Sequence, residues 1–181
     1  MNHKPIWFIG QLPEELCDKA VEEFMLVPAK AASMGEDGSH LDNSHRNTTV
    51  RFIPPSHWLT GDLRGFGEGA NKECGWDYAI SGNENIQFAE YAVGQHYGWH
   101  VDNFPLGYQK VDRKVTVVTL LSDPADYEGG DLFVRLYQDY KPELKKGSVI
   151  AFPSILEHMV TPVTKGVRYS ATMWINGPCF R

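Results

Sequence analysis

The sequence has few cysteines, no long apolar run and no recognisable leader segment. Its 181 residues include three cysteines, an odd number with no Cys-x-x-Cys pair, which argues against a disulfide framework and a zinc knuckle. No stretch approaches the ~18 apolar residues of a membrane span, and the opening residues Met-Asn-His-Lys-Pro lack the apolar core of a signal peptide. We therefore expect a cytoplasmic protein with no membrane partner, in which Cys17 and Cys74 are reduced and buried.

The sequence also lacks an excess of positive charge. The formal net charge is −6, and the negative charge is concentrated in residues 1–100, where 14 Asp and Glu side chains outnumber 7 Lys and Arg. Residues 101–181 are nearly balanced, with 9 acidic and 10 basic side chains. Because nucleic-acid-binding domains carry basic patches, a nucleic-acid partner is not predicted. The length and the 42% hydrophobic content predict one folded domain over residues 1–181.

Hydrophobic periodicity predicts helices in the first part of the chain. Apolar residues at helical spacing indicate helices over 12–27 and about 57–72, with a strand over 48–53 between them. Residues 29–47 are rich in Ser, Gly, Asp and Asn and are predicted to be a loop. The loop contains His40, Asp42 and His45, which could bind a metal ion, but solvated loop histidines are far commoner. A loop of this length in a compact enzyme is often a lid, and that is the role we favour for it.

From residue 76 the apolar period changes to two, which is typical of strands. Turn sequences separate the predicted strands, which cover residues 76–80, 85–93, 97–102, 113–121, 131–137, 147–153 and 167–175. Regularly spaced short strands without intervening helices favour an all-β sandwich or barrel. We expect helical support over about 12–75 to brace one sheet of a β core over about 76–176.

The stretch Tyr91–Asp102 ends in a His-x-Asp triplet. On a strand His100 and Asp102 leave the same face, because the side-chain period is two, and their α-carbons are roughly 6.6 Å apart. That spacing suits two adjacent ligands of one metal ion. A His-x-Asp triplet is common by chance, so the prediction of a metal site depends on a third ligand elsewhere in the chain.

His158 is the candidate for the third ligand, because it follows the apolar stretch Gly147–Leu156 in the strand-rich part. Two histidines and one carboxylate leave three coordination positions open on one side of an octahedral ion, as in non-haem Fe(II) oxygenases. Zinc binds the same ligand types. His158 could instead have a purely structural role. A group elsewhere in the chain that binds an organic cosubstrate would favour an Fe(II) oxygenase over a zinc site.

Arg168 meets that requirement. An arginine within an apolar, β-branched strand is costly unless it is paired. A protein carboxylate is the usual partner, but the planar guanidinium also binds a ligand carboxylate through two hydrogen bonds. By strand alternation Arg168, Ser170, Thr172 and Trp174 share one face, which is polar at one end and aromatic at the other, as a dicarboxylate pocket requires.

In these residues the sequence resembles the Fe(II)/2-oxoglutarate-dependent dioxygenases of the prolyl-4-hydroxylase superfamily. Within that superfamily it most resembles the bacterial PKHD-type hydroxylases. The resemblance runs from about residue 86 to residue 174. The stretches that carry it are Gln87–Tyr91, Gly98–Asn103, Leu121–Asp131 and His158–Arg168. It implies a double-stranded β-helix, a jelly roll of two antiparallel sheets with the metal at its open mouth.

The resemblance also implies roles for individual residues. The family's metal ligands fall on His100, Asp102 and His158, and the basic residue that binds the distal carboxylate of 2-oxoglutarate falls on Arg168. Tyr91 matches a further contact with the cosubstrate. The cofactors implied are Fe(II), 2-oxoglutarate and O2, with ascorbate as a supporting reductant.

Further positions are assigned by their match to the family or by their distance from the ligands in sequence. Trp174 matches an aromatic position near the metal. A tyrosine that contacts 2-oxoglutarate in oxygen-sensing prolyl hydroxylases aligns with Leu120 here, so we expect the Thr116 hydroxyl, on the same face, to replace it. The residues expected near the substrate are Asn103, Tyr97 and Trp99.

The activity implied is hydroxylation of a substrate with release of succinate and CO2. A prolyl residue in a peptide or protein is favoured as the substrate, with a free amino acid or another small molecule as the alternative. The candidate recognition loops are residues 29–47 and 103–112. A non-catalytic metal-binding jelly roll is the alternative from another functional class. Halogenation is disfavoured because Asp102 fills the position that a halide occupies.

Overall fold

A computed structural model describes residues 5–32, 42–103 and 110–180. In these residues the chain forms the helices α1 (Glu14–Met25) and α2 (Leu59–Glu73), and a 3-10 turn at Pro124–Asp126. The strands of the first half are β1 (Phe8–Gln11), β2 (Lys30–Ala31), β3 (Arg46–Asn47), β4 (Thr49–Ile53), β5 (Gly82–Asn83), β6 (Ile86–Tyr91) and β7 (His96–His100). Those of the second half are β8 (Val111–Leu120), β9 (Glu128–Gly129), β10 (Leu132–Arg135), β11 (Asp139–Tyr140), β12 (Ser148–Pro153), β13 (Glu157–Val160), β14 (Val163–Lys165) and β15 (Arg168–Pro178).

Most of the strands form two antiparallel sheets. The large sheet has the order β1-β12-β8-β15-β6-β4-β2, with β5 added on β15, and the small sheet has the order β11-β10-β13-β7-β3. Strands β9 and β14 form a separate two-stranded ribbon. This arrangement confirms the predicted mainly-β jelly roll. Strand β15 lies between β8 and β6, so the last strand in sequence occupies the interior of the large sheet.

Alternation along the strands gives the large sheet two different faces. On β15 the residues Ala171, Met173 and Ile175 belong to a core cluster that also contains apolar side chains of α1 and α2. The even-numbered residues of the same strand face the small sheet, across a second cluster that includes Val118, Ile150 and Phe152. The helices therefore brace one face of the large sheet, as the sequence predicted, and the space between the sheets is left for the site.

A glycine in α2 permits close packing of that helix on the large sheet. A Cβ at Gly67 would lie 2.3 Å from the Cδ1 atom of Ile175 and 2.7 Å from a Cγ atom of Val117. Glycine costs helix stability in an interior position, and here the close approach explains its presence.

The predicted strand over 76–80 is wrong, because these residues make no ladder. The end of α2 binds this segment instead: the Asn71 amide group donates to the Tyr78 carbonyl oxygen and accepts from the Tyr78 N–H. Asp77 also has a positive φ of 55°, which is incompatible with an extended strand. The predicted strands did not include the four-residue strands β1 and β13. They also did not include the strands of two or three residues, which are too short to give a periodic signal, namely β2, β3, β5, β9, β11 and β14.

Two further expectations concern loops and cysteines. The predicted loop 29–47 begins with β2 and ends with β3, and residues 33–41, which include His40, lie outside the described residues, as do 104–109 of the second recognition loop. Cys17 and Cys74 are free and buried, as predicted. In the part of the chain that the structure describes, no helix combines the length and apolarity needed to cross a bilayer.

A candidate metal centre and its cavity

The side chains of His100, Asp102 and His158 come together between the sheets. His100 ends β7 and lies directly opposite His158 on β13. Asp102 was predicted to continue the strand, but β7 stops at His100, and the Asp102 backbone N–H donates to the Ser154 carbonyl oxygen at 3.0 Å. Potential ligand atoms of the three residues all lie within 4.8 Å of one another, so one ion can contact them all.

Backbone hydrogen bonds hold both imidazoles in one orientation. Nδ1 of His100 lies 2.8 Å from the Gly98 carbonyl oxygen, and Nδ1 of His158 lies 3.0 Å from the Leu156 carbonyl oxygen. A carbonyl oxygen can only accept, so each Nδ1 carries a proton, and Nε2 is the atom of each ring that is directed at Asp102 and is placed to bind a metal ion. The Nε2 atoms lie 3.7 Å and 3.2 Å from the Asp102 carboxylate oxygens, close to the about 3 Å expected between neighbouring ligand atoms of an octahedral ion.

The electrostatics of the three side chains also suit a cation. Burial, assisted by the adjacent His158, lowers the pKa of His100 to about 3, so its imidazole is neutral at pH 7. Burial favours the protonated form of Asp102, but the attraction and hydrogen bond of His158 outweigh it and hold the Asp102 pKa below its usual range. The Asp102 carboxylate in turn raises the pKa of His158 against the effect of burial. An ionised carboxylate and a neutral imidazole are therefore available as donors.

The hydroxyl groups of Thr116 and Ser154 form a hydrogen-bonded pair that orients the Asp102 carboxylate. The Thr116 hydroxyl donates to Asp102 Oδ2 at 2.7 Å and lies 2.9 Å from the Ser154 hydroxyl, which must then be the donor in their contact. Thr116 and Ser154 are fully buried. Thr116 does not border the cavity next to the ligands, so we now assign its hydroxyl to Asp102 and not to a cosubstrate.

Replacing Thr116 with valine is expected to weaken Fe(II) or Mn(II) binding by about 10-fold, because residues that hydrogen-bond to metal ligands typically contribute about 10–100-fold to metal affinity. Thr119→Val is the matched control on the same strand. The Thr119 hydroxyl is buried without a partner among the described residues, so its removal costs little. Metal titration of both variants tests this prediction. Equal dissociation constants would show that the Thr116 hydroxyl does not support metal binding by Asp102.

The cavity beside the ligands has one cationic and one aromatic end. Its wall contains the whole face of β15 that was predicted from alternation, namely Arg168, Ser170, Thr172 and Trp174. The other lining residues are Gln87, Tyr91, Tyr97, His100, Asp102, Val118, Leu132, His158 and Val160. The predicted ligands, Arg168, Tyr91, Trp174 and Tyr97 are thus brought together in one cavity.

Arg168 is almost fully buried, with 2% of its surface exposed. Its Nη1 donates to the Ser170 hydroxyl at 3.0 Å, and its guanidinium lies 5.3 Å from the centre of the Tyr91 ring, which is its register partner on β6. Among the described residues no carboxylate pairs with it. A buried guanidinium without a counter-charge is costly, which fits a site that receives the carboxylate of a ligand.

A glycine turn gives Arg168 its space. Gly130 has φ of 62°, and a Cβ there would lie 2.9 Å from Arg168 Cδ, so a side chain would displace the arginine. The same turn borders a more open cavity of about 300 Å³, which shares Arg168 and Leu132 with the cavity at the ligands. Arg168 therefore borders both cavities.

The residues expected near the substrate divide into two groups. A bulge on β7 places Tyr97 on the same side as His100, and their rings stack with centroids 3.4 Å apart. Trp99, which lies between Tyr97 and His100 in sequence, contacts Arg135, whose guanidinium lies 3.6 Å from the centre of the Trp99 ring. Neither Trp99 nor Asn103 borders the cavity. Tyr97 is a cavity wall residue, whereas a substrate contact by Trp99 or Asn103 stays a prediction.

Sequence reasoning missed Arg46 and Gln87. Gln87 was regarded only as part of the stretch that carries the resemblance, but its side chain borders the cavity and accepts from Nη2 of Arg46 at 3.1 Å. Arg46 was assigned to the loop 29–47, whereas it lies on β3 opposite Tyr97 of β7. An arginine two residues before the β-branched stretch Thr48–Val50 is the signal that could have identified it.

Comparisons with known proteins identify relatives of the strand-rich part. A family model described as the 2OG-Fe(II) oxygenase superfamily matches residues 86–176. A PKHD-type hydroxylase of Gloeothece citriformis is 39% identical over 92 residues, which are 50% of this chain and 42% of that protein. A PKHD-type hydroxylase of a Synechococcus species is 42% identical over 93 residues, 50% of this chain and 40% of that protein. The match thus spans less than half the length of these curated relatives.

Solved structures with the same fold cover nearly the whole chain. A prolyl-4-hydroxylase of Pseudomonas putida has a TM-score of 0.70 at 21% identity, covering 98% of this chain and 95% of its own. A viral collagen prolyl hydroxylase from Paramecium Bursaria Chlorella virus-1 has a TM-score of 0.70 at 20% identity, covering 96% and 97% of the two chains. At these identities the likeness concerns the fold.

Proposed function

The chain belongs to the 2OG-Fe(II) oxygenase superfamily, and from that premise we propose that it hydroxylates an organic substrate with 2-oxoglutarate as cosubstrate. The observation that carries this proposal is the buried Arg168, which shares a cavity with His100, Asp102 and His158 and has no carboxylate partner in the described ranges. A metal site of purely structural use would give no reason to keep an unpaired guanidinium beside it. Prolyl hydroxylases among the relatives favour a prolyl residue as the substrate class.

The side chains that would hold the cofactors follow from the geometry. The two Nε2 atoms and the Asp102 carboxylate would hold Fe(II), which, together with 2-oxoglutarate, supplies oxidative decarboxylation coupled to substrate hydroxylation. Overall, substrate, 2-oxoglutarate and O2 would give hydroxylated substrate, succinate and CO2. Arg168 would bind the distal carboxylate of the cosubstrate through its planar fork, while the Ser170 hydroxyl fixes the guanidinium.

The aromatic residues would shape the cavity and exclude water from it. Tyr91 lies on the strand beside Arg168 and would add a contact to the same ligand. Tyr97 stacks on His100, and burial raises its pKa to about 12, so it is a neutral wall. The Trp174 indole N–H is buried and helps to lower the pKa of the Asp102 carboxyl group, so it would support that ligand in its ionised form. Exclusion of water strengthens each of these contacts.

The direct test is decarboxylation of 2-oxoglutarate by the purified protein with Fe(II), under air, with ascorbate added as the reductant. We expect succinate and CO2 in equal amounts, no product without Fe(II), and faster turnover when a true substrate is added. Tight metal binding without any succinate, with or without a peptide and amino-acid panel, would favour the non-catalytic metal-binding module instead.

A further inference from the structure

Among the described residues four cationic side chains are buried: Arg46, Arg51, Lys114 and Arg168. Arg51 pairs with Glu90 at 2.9 Å, and Lys114 pairs with Asp112 at 3.4 Å. The other two have no carboxylate partner in the ranges 5–32, 42–103 and 110–180, and Nε of Arg46 has no hydrogen-bond partner at all there. Buried charges are normally paired, so the two exceptions require an explanation.

Both exceptions lie close to one cavity, that of the candidate metal ligands. Arg168 is part of its wall, and Arg46 is one contact away from it: Nη2 of Arg46 donates to the Gln87 side chain, and its guanidinium lies 4.3 Å from the centre of the Tyr97 ring. Both Gln87 and Tyr97 border the cavity. Arg46 is 8% exposed, so bulk solvent does not replace the missing counter-charge.

The charges at the site do not cancel when the cofactors of the proposed function are bound. The dication and the 2-oxoglutarate dianion balance each other, and the Asp102 carboxylate balances one of the two guanidinium groups. One positive charge is left. Because 2-oxoglutarate would occupy Arg168, the group left without an anion is Arg46, on the Tyr97 and His100 side of the cavity.

From this we propose that Arg46 binds a carboxylate of the substrate, so that the substrate class is a carboxylate-bearing compound, such as a free amino acid or a peptide whose terminal residue is hydroxylated. The guanidinium fork would bind this carboxylate through two hydrogen bonds, with Gln87 holding its other edge. This inference rests on the proposed function, and it changes the favoured substrate from an internal prolyl residue to one with a free carboxylate beside the reacting carbon.

The test uses protein loaded with Mn(II) and 2-oxoglutarate, so that Arg168 is already occupied. Propionate and propionamide, which differ in charge and little in shape, are titrated while Mn(II)-induced relaxation of their protons is measured. We expect saturable relaxation of propionate in the wild type, no comparable effect for propionamide, at least ~10-fold weaker propionate binding in Arg46→Gln, and an intermediate effect in Arg46→Lys.

Arg51→Gln is the matched control, because Arg51 is also 8% exposed but pairs with Glu90 away from the cavity, and it should bind propionate like the wild type. The proposal is overturned if the wild type shows no propionate binding, if the amide binds equally well, or if Arg46→Gln binds propionate unchanged, as direct coordination to the metal would produce. Failure of the proposed function appears separately, as absent 2-oxoglutarate binding or absent succinate formation in the wild type.

A second arm addresses the source of the carboxylate. Free amino acids, peptides with a free terminal carboxylate and the amidated form of each are compared as stimulators of succinate formation. We expect stimulation by acids from one of the two sources, loss of that stimulation in Arg46→Gln, and its retention in the control Arg51→Gln. Equal stimulation by the amidated forms would contradict the assignment.

Discussion

Protein carrying Asp102→Asn is expected to lose at least about 100-fold in Fe(II) affinity and to form no succinate above background. This loss exceeds the about 10–100-fold that is typical when a hydrogen-bond partner of a metal ligand is removed. The carboxamide keeps the shape and can still accept from Thr116, but it lacks the negative charge that an Fe(II) ligand set of two neutral imidazoles needs. Metal titration, with succinate measured at saturating 2-oxoglutarate, checks both parts.

A buried carboxylate elsewhere provides the control for this variant. Asp112 is 6% exposed and pairs with Lys114, so Asp112→Asn should lower the melting temperature by leaving a buried ammonium unpaired. Its metal affinity should be unchanged at temperatures where it is folded. Full turnover by the Asp102 variant would show that the ligand assignment is wrong.

The second large effect is expected from Arg168→Gln, which should raise the KM for 2-oxoglutarate by roughly 30-fold or more, because a buried hydrogen-bonded charge pair is worth 2–5 kcal/mol. Fe(II) affinity should be unchanged, because Arg168 does not contact the ligands through any described hydrogen bond. Arg168→Lys should be milder but not neutral, since lysine keeps the charge and loses the fork.

Stability measurements separate this role from a structural one. Arg168 makes no ion pair within the described residues, so its replacement should not lower the melting temperature of the cofactor-free protein in the way that loss of the Arg51–Glu90 pair should. Saturating 2-oxoglutarate stabilises a binding protein by about 2.7 kcal/mol at 100 times Kd, and this stabilisation should disappear in Arg168→Gln. An unchanged KM for 2-oxoglutarate in that variant would show that another residue binds the distal carboxylate of the cosubstrate.

Sequence patterns predicted the parts of the site that obey strand periodicity. The face of β15 followed from alternation alone, because the positions of Arg168 and Trp174 differ by an even number on a regular strand. The ligand triplet was also recognisable, although the position of Asp102 depends on a hydrogen bond to Ser154 that lies some fifty residues away in sequence.

The parts that could not be predicted depend on irregular backbone or on pairing between distant segments. Tyr97 was expected near the substrate from its distance in sequence, but it reaches the cavity through a bulge on β7, which strict alternation does not predict. Arg46 enters the site because a two-residue strand pairs with β7, and so short a strand leaves no periodic signal. Thr116 was placed on the correct face, but the partner of its hydroxyl could be read only from the packed structure.

The interior position of β15 has a consequence for synthesis of the chain. During translation the neighbours β8 and β6 leave the ribosome first, and each has an unpaired edge toward the place that β15 later fills. The same late strand carries Arg168 and Trp174, so the large sheet and the cosubstrate side of the cavity become complete in one event. Non-local pairing of this kind slows folding and exposes strand edges to aggregation, so nascent chains of this protein should depend on chaperones until residue 178 has emerged.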